Sequence, residues 1–181
     1  MTTKKYEFTG EVKFWAGRTL RRIRATEAFG YVEAGELGGW IEKEENLSRE
    51  GNAVVGDNAV VCDNAVVCGN AEVYGNAEVC GNAEVYGNAE VFLANHLLVV
   101  GAIGSRNGFT TFYRDKNNEI TVKCGCFLGK IDRFLEKVTE RHGDSKHALA
   151  YRAAAELAKI QIELSEEGEK SNDHNRSCKN D

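Results

Sequence analysis

Between residues 51 and 92 the chain repeats one pattern of small, apolar and polar positions every six residues. Written out, the units are GNAVVG, DNAVVC, DNAVVC, GNAEVY, GNAEVC, GNAEVY and GNAEVF, seven in all. Ala53, Ala59, Ala65, Ala71, Ala77, Ala83 and Ala89 precede Val55, Val61, Val67, Val73, Val79, Val85 and Val91 by two residues. Residues two apart share one face of an extended segment, so this pair marks an interior. Glu72, Glu78, Glu84 and Glu90, with Tyr74, Cys80, Tyr86 and Phe92, then face outward. The Gly-Asn and Asp-Asn pairs supply the positive φ that corners require. Self-similarity at so short a period predicts stacked coils.

The flanks lose the period gradually. Residues 1–50 mix β-branched and aromatic residues with Gly-rich turns and predict an N-terminal β cap of two or three short strands, concentrated over 18–48. Ile41 and Leu47 sit in the phase of the alanines, which places an imperfect coil near Trp40. Beyond Phe92, Leu97 and Ile103 keep the phase of the valines, so a coil-like extension runs to about 103. Residues 104–128 predict a β-hairpin turning at Asp115–Asn118, and 129–164 a helical hairpin. In the first helix Ile131, Phe134, Leu135 and Val138 are at helical spacing, and Gly143 stops it. Asp144 or Ser145 caps the second, whose apolar stripe is Leu149, Ala153, Leu157, Ile160 and Leu164. Residues 165–181 contain almost nothing apolar and predict a disordered tail.

The repeat resembles the hexapeptide-repeat proteins; Val67-Cys68-Gly69-Asn70-Ala71 fits their motif. The resemblance implies a mostly β fold built on a short left-handed parallel β-helix, with eighteen residues to each triangular coil. Cys62 would then stack on Cys80, Tyr74 on Phe92, Cys68 on Tyr86 and Glu72 on Glu90, with Asn52, Asn70 and Asn88 forming a corner ladder. Two and a third coils cannot stand alone, so caps or self-association must stabilise them. Three further stretches, LGGWIEKEENLS, GNAEVYGNAEV and GCFLGKIDRFLEKVTERHGDSKHALAY, are similar to a family of bacteriophage and prophage proteins of largely unassigned function. Variable repeat number among such relatives suits a length-tolerant scaffold.

Charge changes this picture by being segregated. Residues 1–24 carry seven Lys/Arg against two Glu, whereas 25–92 carry two against thirteen Asp/Glu. An acidic middle repels phosphate, so direct DNA binding by that face is not expected. Arg18, Arg21, Arg22 and Arg24 beside Phe14 and Trp15 are read as a solvated strand face rather than an RNA contact. No apolar run spans a bilayer and no signal-type core opens the sequence, which predicts a cytoplasmic protein without membrane contact. In a reducing compartment the six cysteines are expected as free thiols, although Cys62 and Cys80 are close enough to oxidise in air.

Candidate chemistry is sparse. The enzymes resembling this repeat are mostly acyltransferases with one histidine base, and His96 is the candidate for that role. Cys124, Cys126, His142 and His147 offer donors for a metal at a spacing that matches no familiar finger, and no cofactor is called for. The function expected is therefore a non-enzymatic phage accessory protein binding a host or phage macromolecule through Glu72, Tyr74, Glu78, Glu84, Tyr86, Glu90 and Phe92. One concrete version is a counter-defence inhibitor; the alternatives are an acyltransferase-like enzyme and a sponge for a small signalling nucleotide. Assembly as a homotrimer, or failing that a dimer, follows from the resemblance.

Overall fold

The computed structural model describes residues 5–165, so the tail expected over 165–181 lies outside the described residues except for Ser165. The protein is mostly β with two α-helices. Strands β1 (Tyr6–Trp15) and β2 (Arg18–Ala25) pair as an antiparallel hairpin, with a bulge between Phe8 and Val12. Its tip turns at Ala16 and Gly17, both at positive φ. β2 pairs with β3 (Leu37–Ile41), which enters the repeat. β1 lies within the expected β cap but ahead of the 18–48 stretch in which its strands are expected, and Val12 and Phe14 alternate there with Lys13 and Trp15 as strand residues do.

Each repeat unit then gives one two-residue strand, and the chain visits three parallel ladders in rotation. Strands β4 (Val54–Val55), β7 (Glu72–Val73) and β10 (Glu90–Val91) make the first ladder. The second joins β3 to β5 (Val60–Val61) and β8 (Glu78–Val79), and the third pairs β6 (Val66–Val67) with β9 (Glu84–Val85). Within the repeat every partner is eighteen residues on, as Val54 to Glu72 and Glu72 to Glu90 show. The corners follow the same register: Asn52 donates to Asn70 at 3.3 Å and Asn70 to Asn88 at 3.4 Å. Gly51, Gly69 and Gly87 stack there at positive φ, and a Cβ on Gly51 would lie 2.5 Å from the Gly69 carbonyl oxygen. The two Asp-Asn corners keep positive φ without glycine. Their carboxylates accept from the next coil, Asp57 from the Gly75 N–H at 3.1 Å and Asp63 from the Gly81 N–H at 2.9 Å.

The entering coil departs from the expected phase. Ile41 pairs with Val61 and Leu47 bridges to Val67, both twenty residues on, so these side chains take the place of valines and not of alanines. The two extra residues lie in the corner after Leu47, where the Ser48 hydroxyl accepts the Glu50 N–H at 3.1 Å.

The alanines and valines form one buried column closed at both ends by residues from outside the repeat. At one end sit Tyr6, Phe8 and Ile23, with the Tyr6 hydroxyl 2.9 Å from the carbonyl oxygens of Glu44 and Leu47. Lys5 reinforces this end by donating to the Ala53 carbonyl at 2.8 Å; burial drives its pKa down to about 8. At the other end Tyr113 is fully buried and donates to the Tyr86 carbonyl at 3.0 Å.

In place of the free thiols expected of all six cysteines, Cys62 and Cys80, stacked one above the other with Cα atoms 4.8 Å apart, are joined by a disulfide, while Cys68, Cys124 and Cys126 are thiols. Closing a loop of this length contributes about 3 kcal/mol by restricting the unfolded chain. Reduction under native conditions should therefore lower the melting temperature by roughly 6–12 °C. Calorimetry with and without reductant, alongside thiol alkylation and mass spectrometry, checks this; an unchanged melt of the fully alkylated protein would refute it.

After the repeat the coil does not continue to about 103 as the phase of Leu97 and Ile103 suggests. Instead β11 (Leu97–Ile103), β12 (Gly108–Arg114), β13 (Ile120–Cys124) and β14 (Phe127–Lys130) form an antiparallel meander. The expected hairpin is its central pair, and the turn at Asp115 is a node. Burial alone would raise the Asp115 pKa, but hydrogen bonds from Lys130, the Thr121 hydroxyl and the Asn117 N–H outweigh it and hold the carboxyl below its usual range. Ser165 packs beside this node, exchanging hydrogen bonds of 2.7 Å with the Asn118 side chain. Strand β12 serves two cores, since Tyr113 plugs the column while Phe112 faces the helices.

Helices α1 (Ile131–His142) and α2 (Lys146–Gln161) cover the meander, with Gly143 ending the first and the Ser145 hydroxyl capping the second. In α1 the buried residues are the expected ones, Ile131, Phe134 and Val138, with Leu135 half-buried. In α2 the expectation is reversed: Ala148, Ala154, Ala155 and Ala158 are buried. The Leu149, Ala153, Leu157 and Ile160 stripe faces outward, and Leu164 lies beyond the helix. Small residues let α2 approach Phe134 and Phe112 closely, so shape complementarity decides which face is buried.

Candidate functional site

The six-residue period that aligns the repeats also separates their outward residues. Consecutive units enter different ladders, so Glu72 and Glu90 share one face, Glu78 lies on a second and Glu84 on a third. The seven residues read as one acidic, aromatic surface are therefore not brought together. Several are engaged within the chain. Glu90 meets Arg114 at 3.1 Å, and that guanidinium lies 5.5 Å from the Phe92 ring centroid. Glu84 meets Lys123 at 2.8 Å, and the same ammonium lies 5.0 Å from the Tyr86 ring centroid. Tyr74 packs against Phe92 at 6.0 Å and is half-buried, and burial raises its pKa well above the usual phenol range. Gly56 makes this fit possible: any Cβ there would fall 2.2 Å from the Tyr74 ring. Glycine at the position that holds Cys, Tyr or Phe in the later units was the sequence signal for that slot.

His96 and the cysteine–histidine set have structural surroundings. His96 is buried in a 3-10 turn after β10, and its Nδ1 accepts the Phe92 N–H at 3.2 Å. That bond spends the nitrogen on shaping the exit from the repeat. The Cys124 thiol accepts from the Thr110 hydroxyl at 3.2 Å, Cys126 is exposed, and the His142 and His147 rings lie 6.3 Å apart. Among the described residues, one group of three His, Cys, Asp or Glu side chains has ligand atoms within 4.8 Å of one another: Cys62, Asp63 and Cys80. The disulfide occupies two of its donors. A crease lined by residues including Tyr6, Phe29, Leu37 and Tyr74 encloses about 40 Å³, room for about one water molecule.

The N-terminal hairpin is the region where apolar and cationic groups gather at the surface, and alternation along β1 and β2 sorts them onto two faces. On one face Arg22 lies directly across from Trp40 and its guanidinium carbon is 5.2 Å from that ring centroid. Lys13 stands over the same ring at 4.5 Å, and burial, then Arg22, lowers its pKa against the pull of Glu78. Arg18 on this face is tied to Asp63 at 2.5 Å, and Arg24 to Glu7 at 2.6 Å. These contacts stiffen the sheet. On the opposite face are Phe8, Val12, Phe14 and Arg21. Phe8 packs on the column and carries Arg21 5.4 Å above its ring, but nearer the tip Val12 is 62% exposed and Phe14 80% exposed. The Arg21 guanidinium is fixed by a 2.9 Å hydrogen bond to the Glu42 carbonyl. The four arginines read as one cluster are thus three on one face and Arg21 on the other.

The chain matches no family model and no curated protein. Among the described residues no helix is long and apolar enough to cross a membrane.

Proposed function

We propose that the three ladders wrap into a left-handed β-helix of triangular section, and that this rigid stand presents the N-terminal hairpin to a partner protein. Every partner within the repeat being eighteen residues on, three units to a coil, supports the first part. The second part rests on the exposure of Phe14 and Val12 beside the fixed cation of Arg21. Large apolar side chains held at a surface with an arginine are what protein interfaces are centred on. The cation of Arg21 on this face favours a partner that brings a carboxylate to it. β1 also lies at the edge of its sheet, open to an added strand from that partner. On this reading the protein is a non-enzymatic, cytoplasmic accessory protein of phage type, acting on a host or viral protein by binding it. The acidic rungs serve mainly to anchor the C-terminal strands through Arg114 and Lys123.

Partners captured by the intact protein from bacteria carrying its gene would be identified, purified and titrated against variants. Phe14→Ala and Arg21→Glu should each weaken binding by about 10-fold or more, the range of interface anchors, with Phe14→Ala leaving the melting temperature unchanged. Glu78→Lys should leave affinity within about 2-fold, as expected of a charge outside the contact. The opposite ranking would refute the hairpin as the binding surface. Turnover of an acyl donor that disappears in His96→Ala would refute the non-enzymatic reading.

A further inference from the structure

The outer face of α2 is apolar where a solvated helix should be polar. Leu149 is 59% exposed, Leu157 47% and Ile160 83%, and together with Ala153 they form one stripe directly opposite the buried alanine face. We infer that this stripe is a self-association surface on which the α2 helices of two copies pair antiparallel, giving a two-fold dimer.

The sequence of the helix is self-complementary about its middle. A dyad beside Ala154 and Ala155 brings Leu149 of one copy to Ile160 of the other, and Ala153 to Leu157. Each small residue then meets a large one, which is how facing helices interdigitate. The charges bordering the stripe follow the same centre. Arg152 falls opposite Glu156 of the second copy. This opposite-sign pair occurs twice by symmetry. A parallel pairing would instead set every charge against itself. Glu156 now pairs with Lys159 at 3.0 Å on its own helix, and Arg152 holds Asp144 at 3.2 Å and the Gly143 carbonyl at 2.9 Å. Glu156 keeps its carboxylate exposed beside the stripe, and Arg152 reaches back to the turn between the two helices.

The remaining length of this chain does not suit the stripe. Residues 166–181, EEGEKSNDHNRSCKND, offer only Cys178 to an apolar surface. Two copies complete an antiparallel helix pair, so the assembly is a dimer, in place of the trimer that the repeat suggests.

The full chain would be followed by analytical ultracentrifugation from high micromolar to nanomolar concentration. The expected species is a dimer, and Ile160→Glu should weaken it by at least about 30-fold, in the range for a central apolar anchor, without loss of the folded spectrum. Arg152→Glu and Glu156→Arg should each weaken it by about 2- to 10-fold through the two symmetry-related ion pairs. Combining them should restore wild-type affinity, a rescue that a merely structural role would not give and that remains readable should Ile160→Glu misfold. A monomer at every concentration, a trimer, or a dimer indifferent to both kinds of change overturns the proposal. So does a monomer that dimerises only once residues 166–181 are removed, which would assign the face to the chain's own C-terminus.

Discussion

A peptide comprising residues 51–92 alone should show no cooperative thermal unfolding, despite carrying the most regular part of the protein. Its alanines and valines share one buried cluster with side chains at both ends that the peptide lacks. Without Tyr6, Ile23, Ile41 and Leu47, the first coil exposes its interior at one end, and without Tyr113 and Leu97 the last coil does so at the other. Each coil contacts only its neighbours, so in a body this short most coils are terminal ones and stability cannot be spread along the length. Far-ultraviolet circular dichroism and calorimetry on the peptide, with the full chain in parallel, test this. A concentration-independent cooperative transition in the peptide would show that the ends are dispensable.

The second large effect is expected at the C-terminal plug. Tyr113→Ala removes a fully buried ring from the end of the column and should destabilise the protein by about 3–5 kcal/mol, as large-to-small changes of aromatic core residues do. For a chain of this size that corresponds to a fall in melting temperature of roughly 6–20 °C. Tyr113→Phe keeps the ring and loses only the hydrogen bond to the Tyr86 carbonyl, at a cost of about 0.5–1.5 kcal/mol. Denaturant titrations of the two variants separate plugging from hydrogen bonding. Equal losses would mean that Tyr113 acts through its hydroxyl and does not close the column.

The repeat itself was legible because one short-range rule governs it: an interior pair two residues apart, then a corner that needs positive φ. The rule even extends to its exceptions, since Asp57 and Asp63 keep the glycine-like conformation and use their carboxylates to bind the next coil. Where the rule loosens, phase alone misleads. Ile41 and Leu47 keep a six-residue spacing yet sit two residues out of register, because the corner at Ser48–Glu50 absorbs the difference and leaves the spacing unchanged. Leu97 and Ile103 also keep phase, but β11 finds an antiparallel partner in β12 that a local pattern cannot announce.

The helices illustrate the opposite failure. Hydrophobicity marks large side chains, and in α1 these are the buried ones. In α2 the aromatic layer of Phe112, Phe127 and Phe134 already fills the space, so only alanines fit beneath it and the leucines are turned out. The same blindness affected the surface read from the repeat. Spacing along the chain identified which residues point outward, but membership of one face depends on the ladder each unit joins. The hairpin residues Val12 and Phe14 carried a readable strand alternation, while their exposure depends on how far β1 and β2 extend past the column.

The rotation of successive units through three ladders makes the repeat a ratchet between the two ends of the molecule. Inserting or deleting a single unit would move the chain's exit to the next ladder, and the meander and helices would depart in a new direction relative to the hairpin. Changing the count by three would return the exit to its original ladder and alter only the separation, by roughly one strand spacing of ~4.8 Å. The number of units is thus a geometric setting. A lineage that gained or lost one would re-aim the hairpin against the two helices without altering a residue of either.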